Sequence, residues 1–537
     1  MKTLILCNIF YFRGLFVSAH SWRSVGIVIY FCALCVAMLF IGITFTDGYS
    51  QPQFEWLRNY PMIGQDAALD SAGNIYILGK PANNNVHILK YSPSGSIIWS
   101  RELSTVNGNN LYAASDKYGN VYFSIFDMDD SHFRLTKYDS SGNFQWNRFF
   151  VPGGYNTYTQ AIALDTSGNI FLIGDSQTSV GSPFILKYNA QGDLVWSASS
   201  TINGSRFFAG FVDKPGNVYV TGICNDSNNY TFDYLTIKYN NAGVQQWAKR
   251  YNGPVNRHDV AVCVKADNEG YCYVTGSVDI GGPYNGTSGT IKYAPNGDTV
   301  WTRLYSRDTT DSSAGENLEI DGDGNVYVTG GGYNPVHING EELRTIKYDK
   351  YGNLLWTIHD TNGFYSSSMI IDRYKNIYIT TYNFYSTGYN EKGNTIWNLL
   401  YPAVGGYGGR KVLIDKFNNL FVVGSGADSS IVIKYSISTG IINPNQNIVQ
   451  GYKLYQNYPN PFNQSSIIKF QCSIKSEITL KIYDMLGREV QTLVNENLNA
   501  GIYEVRFEGG NLSTGVYFYT LFVDGQKKDI KKMIVIK

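Results

Sequence analysis

DKPGNVYVTG (Asp213 to Gly222), followed by IKYNNAG (Ile237 to Gly243) and a segment centred on Trp247, decides the fold, because the same marks recur along most of the chain. The first mark is a D-x-x-G-N turn. It stands at Asp70 (DSAGN), Asp116 (DKYGN), Asp165 (DTSGN) and Asp213 (DKPGN), and continues with drift at Asp267 (DNEGY), Asp321 (DGDGN), Asp372 (DRYKN) and Asp415 (DKFNN). An Asp side chain can cap such a bend through the backbone, and Gly takes a positive φ where other residues clash. The second mark is a strand such as NVYVTG, whose alternating Val and Tyr suit a two-sided pleat. The third is a strand ending in Lys-Tyr, at Tyr91, Tyr138, Tyr188, Tyr239, Tyr293, Tyr348 and Tyr435, with a Gly four residues after most of these tyrosines. The fourth is a strand centred on Trp.

Those tryptophans are Trp99, Trp146, Trp196, Trp247, Trp301, Trp356 and Trp397, and one more, Trp56, precedes the first Asp turn. The last unit, from Asp415 to Tyr435, has no Trp strand after it, whereas Trp56 has no unit before it. Donating the N-terminal strand to the last unit removes two sticky sheet edges and closes a ring. Successive Asp turns lie between 43 residues (Asp372 to Asp415) and 54 residues (Asp213 to Asp267) apart, a period that suits four strands per unit. The expected fold is all-β: an eight-bladed β-propeller with N-terminal strand closure over residues 51–436, its seventh blade degenerate because Tyr389 lacks the preceding Lys. A small β-sandwich follows it.

Composition agrees. Aromatics make up 15% of the chain with 43 Tyr, there are 55 Gly, and charged residues are 16%, which favours short strands and tight turns. Lys plus Arg equals Asp plus Glu at 43 each, so no basic field exists to hold nucleic acid. The apolar run Val25 to Phe45, preceded by Lys2, Arg13 and Arg23, reads as an export signal over residues 1–50, cleaved between Ser50 and Gln51. The competing reading is an uncleaved anchor, since the run is long enough to span a bilayer. Contact with a membrane is expected only through this signal. Cys224, Cys263, Cys272 and Cys472 lie beyond it and are too scattered for a disulfide scaffold; Cys263 and Cys272 flank one turn but sit diagonally, as two packed thiols.

Residues 437–451 (beginning ISTGIINPN) read as a polar linker, and short alternating runs with Gly turns then fill residues 452–537. The recurrent D-x-x-G-N, N-V-Y-V-T-G and K-Y-x-x-x-G elements resemble the β-propeller repeat family of exported bacterial proteins. The tail resembles the type A sorting domain of the type IX secretion system. Its matching elements are Pro459, Asn460, Pro461, Phe462 and Asn463 (PNPFN), then Tyr483, Asp484, Gly487 and Arg488 (YDMLGRE), then Gly515 and Tyr517 (LSTGVY). Gln464 stands where the family often has Pro. The resemblance implies the type IX secretion machinery as partner and a secreted or outer-membrane surface location in a Gram-negative bacterium. A generic sandwich module for carbohydrate or cell wall is the alternative.

No catalytic residue, metal site or cofactor is expected. His87, His132, His258, His337 and His359 lack metal-ligand spacing, and no G-x-S-x-G, H-E-x-x-H or P-loop pattern occurs. DGDGN at Asp321 resembles the start of a calcium loop but lacks the later bidentate Glu, so the turn reading prevails. Asp66, Asp259 and Glu316 fall near the start of innermost strands, where blades can bring carboxylates together; solvated rim carboxylates are the plainer expectation. The loops Cys224 to Tyr234, Asp279 to Gly289 and Gly330 to Gly340 vary in length and are rich in Tyr, Asn, Ser and Gly, which fits either a binding face or unconstrained drift. The leading expectation is a non-enzymatic binder of an unknown glycan or protein. The alternatives are a polysaccharide hydrolase or lyase and a structural envelope protein.

Overall fold

The computed structural model describes residues 52–81, 85–127, 132–150, 157–176, 182–225, 231–281, 286–307, 312–333, 340–401, 408–426, 428–437, 453–463, 465–472, 476–498, 501–509 and 512–536. The expected leader with its Ser50/Gln51 cleavage point, residues 438–451 of the expected linker, Gln464 and His337 lie outside them. The described residues form strands, turns and bends without a helix, so none could cross a membrane as a helix. Contacts divide the chain into two compact units, the break falling between Thr439 and Gly440.

In the first unit, successive antiparallel strands pair in groups of four. One group is Arg206–Val212, Val218–Asn225, Phe232–Tyr239 and Gln245–Tyr251; the next is Val260–Ala266, Cys272–Val278, Thr287–Tyr293 and Thr299–Tyr305. The 19-residue strand Ile97–Ser115 serves two groups at once, ending one and beginning the next. The strand Gln53–Tyr60 pairs with Ser430–Ser436, beside Asn419–Ser425 and Gly409–Ile414.

The D-x-x-G-N turn supplies the local order. Asp70 Oδ1 accepts the backbone N–H of Ala72 (2.9 Å) and Asn74 (3.0 Å), while Oδ2 takes the Asn74 side-chain amide (2.8 Å) and the Tyr76 hydroxyl (3.2 Å). The fourth turn residue is left-handed throughout. Gly fills it in six turns, as at Gly119 with φ +78°, whereas Lys375 (φ 64°) and Asn418 (φ 67°) fill it in the last two. DGDGN obeys the same rule: Asp321 caps Asp323 N, Asn325 and the Tyr327 hydroxyl.

Burial explains the apolar second strands. In Val218–Asn225 every residue but the last is buried, so both faces of the sheet are covered by neighbours. The core lies between sheets. Tyr219 and Tyr234 of one group pack with Val264, Cys272 and Val274 of the next, and Trp56, Val423 and Val432 pack with Ala67, Ile75 and Ile77. Cys263 pairs in register with Thr275 and Cys272 with Ala266, and both thiols are free.

The second unit has a three-stranded sheet (Lys453–Leu454, Ser465–Cys472, Gly501–Glu508) and a four-stranded sheet ordered Glu489–Leu498, Ser476–Tyr483, Gly515–Val523, Gln526–Val535. Ile468, Phe470 and Phe507 from the first and Ile482, Tyr519 and Met533 from the second share one buried cluster.

Candidate functional site

Antiparallel order puts the Asp turns and the turns after Lys-Tyr at one end of each sheet, and the variable connections at the other. At the first end, lysine and tryptophan of a unit reach the next, as in the first unit. Lys90 Nζ (2.9 Å) and Trp99 Nε1 (3.1 Å) both donate to the Ser140 carbonyl. Arg101 Nε donates to Gly142 O at 2.7 Å. The sequence showed these residue types as repeat marks; that they clasp neighbouring sheets is visible only once the sheets are placed.

The innermost carboxylates are committed differently from solvated rim groups, and that expectation is corrected. Asp66 is 9% exposed; its Oδ2 accepts Ala113 N from the next inner strand at 2.8 Å and its Oδ1 meets Lys411. Asp259 is fully buried and accepts the Gly253 and Asp279 backbone N–H groups; burial raises its pKa against those bonds, and Asp233 and Asp279 add to the rise. Burial pushes Glu316 up to about 7, although Ser366 and Gly331 donate backbone hydrogen bonds to it. None of the three is a hydrogen-bond partner of another. Asp66 and Glu316 thus tie neighbouring groups of strands together, whereas Asp259 holds two connecting segments.

A further buried group was missed. Glu342 is fully buried, and its Oε1 accepts from Arg344 Nη2 (2.6 Å) and His359 Nδ1 (2.7 Å); His359 Nε2 lies 3.1 Å from the Tyr305 hydroxyl. The three side chains form one run of hydrogen bonds from Tyr305 through His359 to Glu342. The signal was the pair of adjacent Glu residues and an Arg within a strand otherwise patterned for burial. Among the described residues no group of three His, Cys, Asp or Glu is arranged to hold a metal. Of the variable loops, residues 226–230, 282–285 and 334–339 lie outside the described residues.

In the second unit, PNPFN runs beside the last strand. Phe462 is buried, donates its N–H to Ile534 O (3.0 Å) and accepts from Ile536 N (2.9 Å), while Asn460 Oδ1 accepts Ile534 N (2.9 Å). Asn463, Pro459 and Pro461 are exposed. Asp484 caps its turn by accepting Leu486 N, Arg488 N (both 2.9 Å) and Arg488 Nε (2.8 Å), and Gly487 takes φ +77°. Tyr483 pairs with Phe518, Gly515 with Val535 and Tyr517 with Met533; the Tyr517 hydroxyl donates to Ser513 O at 3.1 Å. The three motifs thus share one sheet system.

A curated protein, an uncharacterized WD repeat-containing protein of Acanthamoeba polyphaga mimivirus, is 23% identical over 351 residues, 51% of this chain and 24% of that protein. The chain therefore spans about a quarter of the length of that relative. Similar solved structures include BamB from Moraxella catarrhalis, with 12% identity, a TM-score of 0.46, and coverage of 72% of this chain and 99% of that one. Another is the Dos1 propeller, with 11% identity, a TM-score of 0.49, and coverage of 72% and 95%. Residues 456–537 match the family described as the secretion system C-terminal sorting domain. Ahead of that match stand four-stranded sheets packed face to face, the arrangement that a β-propeller repeat builds, and residues 456–537 are similar to the secretion system C-terminal sorting domain family.

Proposed function

We propose that this chain is an exported, closed eight-bladed propeller, delivered by the type IX secretion machinery to the outer-membrane surface or the medium of a Gram-negative bacterium, and that it binds a glycan or protein without catalysis. The sorting-domain match at residues 456–537 carries the export reading, and the apolar run Val25 to Phe45 supports it as a cleaved signal. Eight Asp turns, the pairing of Gln53–Tyr60 with Ser430–Ser436 and the packing of Trp56 against Ala67 and Ile75 support closure with eight blades. The shared cluster of the two tail sheets supports a β-sandwich in which PNPFN, YDMLGRE and GVY are the sorting elements.

Deleting residues 452–537 leaves the propeller folded and retained in the periplasm of a host with that machinery. Fusing them behind a signal peptide and an unrelated reporter sends the reporter outside. Normal export of the deleted form would sink the assignment.

A second reading, a polysaccharide hydrolase or lyase, draws on Glu316, whose carboxyl at about 7 is suited to general acid work. Reducing-end release from a polysaccharide panel, lost on Glu316→Gln, would establish it over the binding reading.

A further inference from the structure

One junction between repeats encloses a cavity. Between the Asp213 turn and the Asp267 turn lies a space of about 520 Å³, inside the range of about 300 to 1,000 Å³ typical of small-molecule sites. Lys238, from the third strand of the fourth group, forms part of its wall, and its Nζ lies 3.8 Å from where a Cβ would stand at Gly270, another wall residue. Phe211, Pro215 and Pro295 supply apolar lining.

The departures from the repeat at this junction fall on the groups that line the cavity. In the other seven turns the residue two after the capping Asp donates its N–H to that Asp, at 2.8 to 3.0 Å. At Asp213 that residue is Pro215, which has no N–H. In seven turns the Asn four residues after the Asp adds its side-chain amide, at 2.7 to 2.9 Å. At Asp267 that place holds Tyr271, which gives its N–H alone. Each of the two carboxylates therefore forgoes one donor, a different one in each case. The lysine is held loosely as well. The other six Lys-Tyr lysines donate to a carbonyl of the neighbouring unit at 2.9 to 3.2 Å, whereas Lys238 Nζ stands 3.5 Å from Pro295 O. An ammonium with three donors and carboxylates with about four acceptor sites each thus keep hydrogen-bonding capacity at one cavity wall.

The lining itself selects the ligand chemistry. It sets Asp213, Asp267 and Glu269 against Lys214 and Lys238. A cation meets the lysines there and an anion meets the carboxylates, so neither is favoured. A zwitterion must strip water from two full charges, a cost that half-exposed partners repay poorly. A vicinal diol pays less: its O–H donates to a carboxylate while its oxygen accepts from an ammonium, both as charge-assisted bonds. We propose that this cavity binds a small neutral sugar, a mono- or disaccharide, with Asp213 and Asp267 accepting from its hydroxyls and Lys238 donating to them. The proposal rests on the binding reading above and gives it one ligand class and one place, between the fourth and fifth groups of strands.

The test is calorimetric titration of the purified protein with glucose, galactose, mannose, N-acetylglucosamine, maltose and cellobiose, with spermidine, inorganic phosphate and glycylglycine as charged comparators. The expected result is saturable binding of at least one sugar and of no comparator. Lys238→Ala abolishes it. Pro215→Ala and Tyr271→Asn, which give Asp213 and Asp267 the donors present in the other turns, keep the fold and weaken binding roughly two- to tenfold each. Ser167→Ala, at the position of Pro215 in another turn, changes nothing. The proposal is overturned if no sugar saturates, if a charged comparator binds in place of the sugars, or if Pro215→Ala and Tyr271→Asn combined in a folded protein leave the affinity as it was. Electrophoresis through laminarin and hydroxyethylcellulose gels separates this failure from that of the binding reading. Retardation equal for wild type and Lys238→Ala, with no small sugar bound, would overturn the cavity assignment and leave the binding reading standing.

Discussion

Trp56 and Lys434 stand opposite one another across two paired strands and donate to the same oxygen, the Pro93 carbonyl, each at 3.0 Å. The relationship is the one that Trp99 and Lys90 make with Ser140 O, Trp301 and Lys292 with Lys350 O (both 3.2 Å), and Trp356 and Lys347 with Glu391 O (both 3.0 Å). Residues from opposite ends of the propeller thus copy a contact made elsewhere within one repeat. Trp56→Ala is expected to cost about 3–5 kcal/mol, because a 7% exposed indole leaves a cavity between two sheets. Trp56→Phe should cost about 1 kcal/mol, since Lys434 still serves the carbonyl. Urea denaturation measures both, and equal midpoints for wild type and Trp56→Ala would mean that the N-terminal strand adds nothing.

The exception to the lysine rule has a physical reason. Each lysine reaches the carbonyl two residues beyond the Lys-Tyr tyrosine of the next unit. In the seventh unit Gly388 takes the place of lysine, and the corresponding carbonyl, that of Ile437, already accepts the Asn418 side-chain amide at 3.2 Å. A Cβ at Gly388 would lie 2.9 Å from the Tyr378 ring. Gly388→Lys is therefore expected to destabilise rather than restore the repeat, by about 1–3 kcal/mol. A higher melting temperature for that variant would refute the account.

Two glycines separate backbone strain from packing. Gly142 (φ +79°) and Gly168 (φ +82°) share a left-handed conformation, but a Cβ at Gly142 would stand 2.8 Å from the Trp99 ring, whereas one at Gly168 meets nothing within 4 Å. Gly168→Ala should cost about 1–2 kcal/mol, the left-handed penalty alone. Gly142→Ala should cost at least about 1 kcal/mol more, because the indole must shift. Thermal unfolding of the pair decides this, and equal losses would show that the tryptophan yields freely.

The repeat, its four marks and the tail motifs were legible in the sequence because each depends on local chemistry: an Asp cap, a left-handed Gly, a short run of apolar and aromatic residues. What was not legible depends on register between strands. Asp66 lies in Ile63–Leu69 and Glu316 just before Asn317–Ile320, yet their partners Ala113 and Ser366 lie in the next group of strands, and a register shift between Gly64 and Asp66 precedes the first contact. The Glu342, His359 and Tyr305 group was hidden for the same reason, being assembled from strands of two sheets.

Glu316 makes stability depend on pH. Its folded pKa, about 7, lies above the usual 4.5 because burial penalises the carboxylate. Between those values the folded state binds more protons than the unfolded state, so stability falls as pH rises from about 4.5 to 7 and levels off above. The loss is on the order of 3 kcal/mol. Glu316→Gln, which keeps an acceptor for Ser366 N, should be the more stable form above pH 7 and lose its advantage toward pH 4. Parallel urea curves across that range would contradict the assignment.

In the sorting unit, the Tyr519 hydroxyl joins the segment before PNPFN to the sheet: it accepts Asn457 N and donates to Tyr455 O, both at 2.8 Å, from a fully buried ring. Asn457, 2% exposed, in turn donates its side-chain amide to Ser466 Oγ (2.8 Å) and Pro459 O (3.1 Å), so the phenol belongs to the network that holds the entry to the motif. Tyr519→Phe keeps the ring's packing and strands a buried donor and acceptor, at a cost of about 1–3 kcal/mol. Because the sorting unit has its own core, calorimetry should show one transition lowered and the larger propeller transition unmoved. Export of the variant should fall with that first transition if PNPFN must be held against the last strand for recognition. Full export from a unit shown to be melted would mean that the machinery reads the segment unfolded.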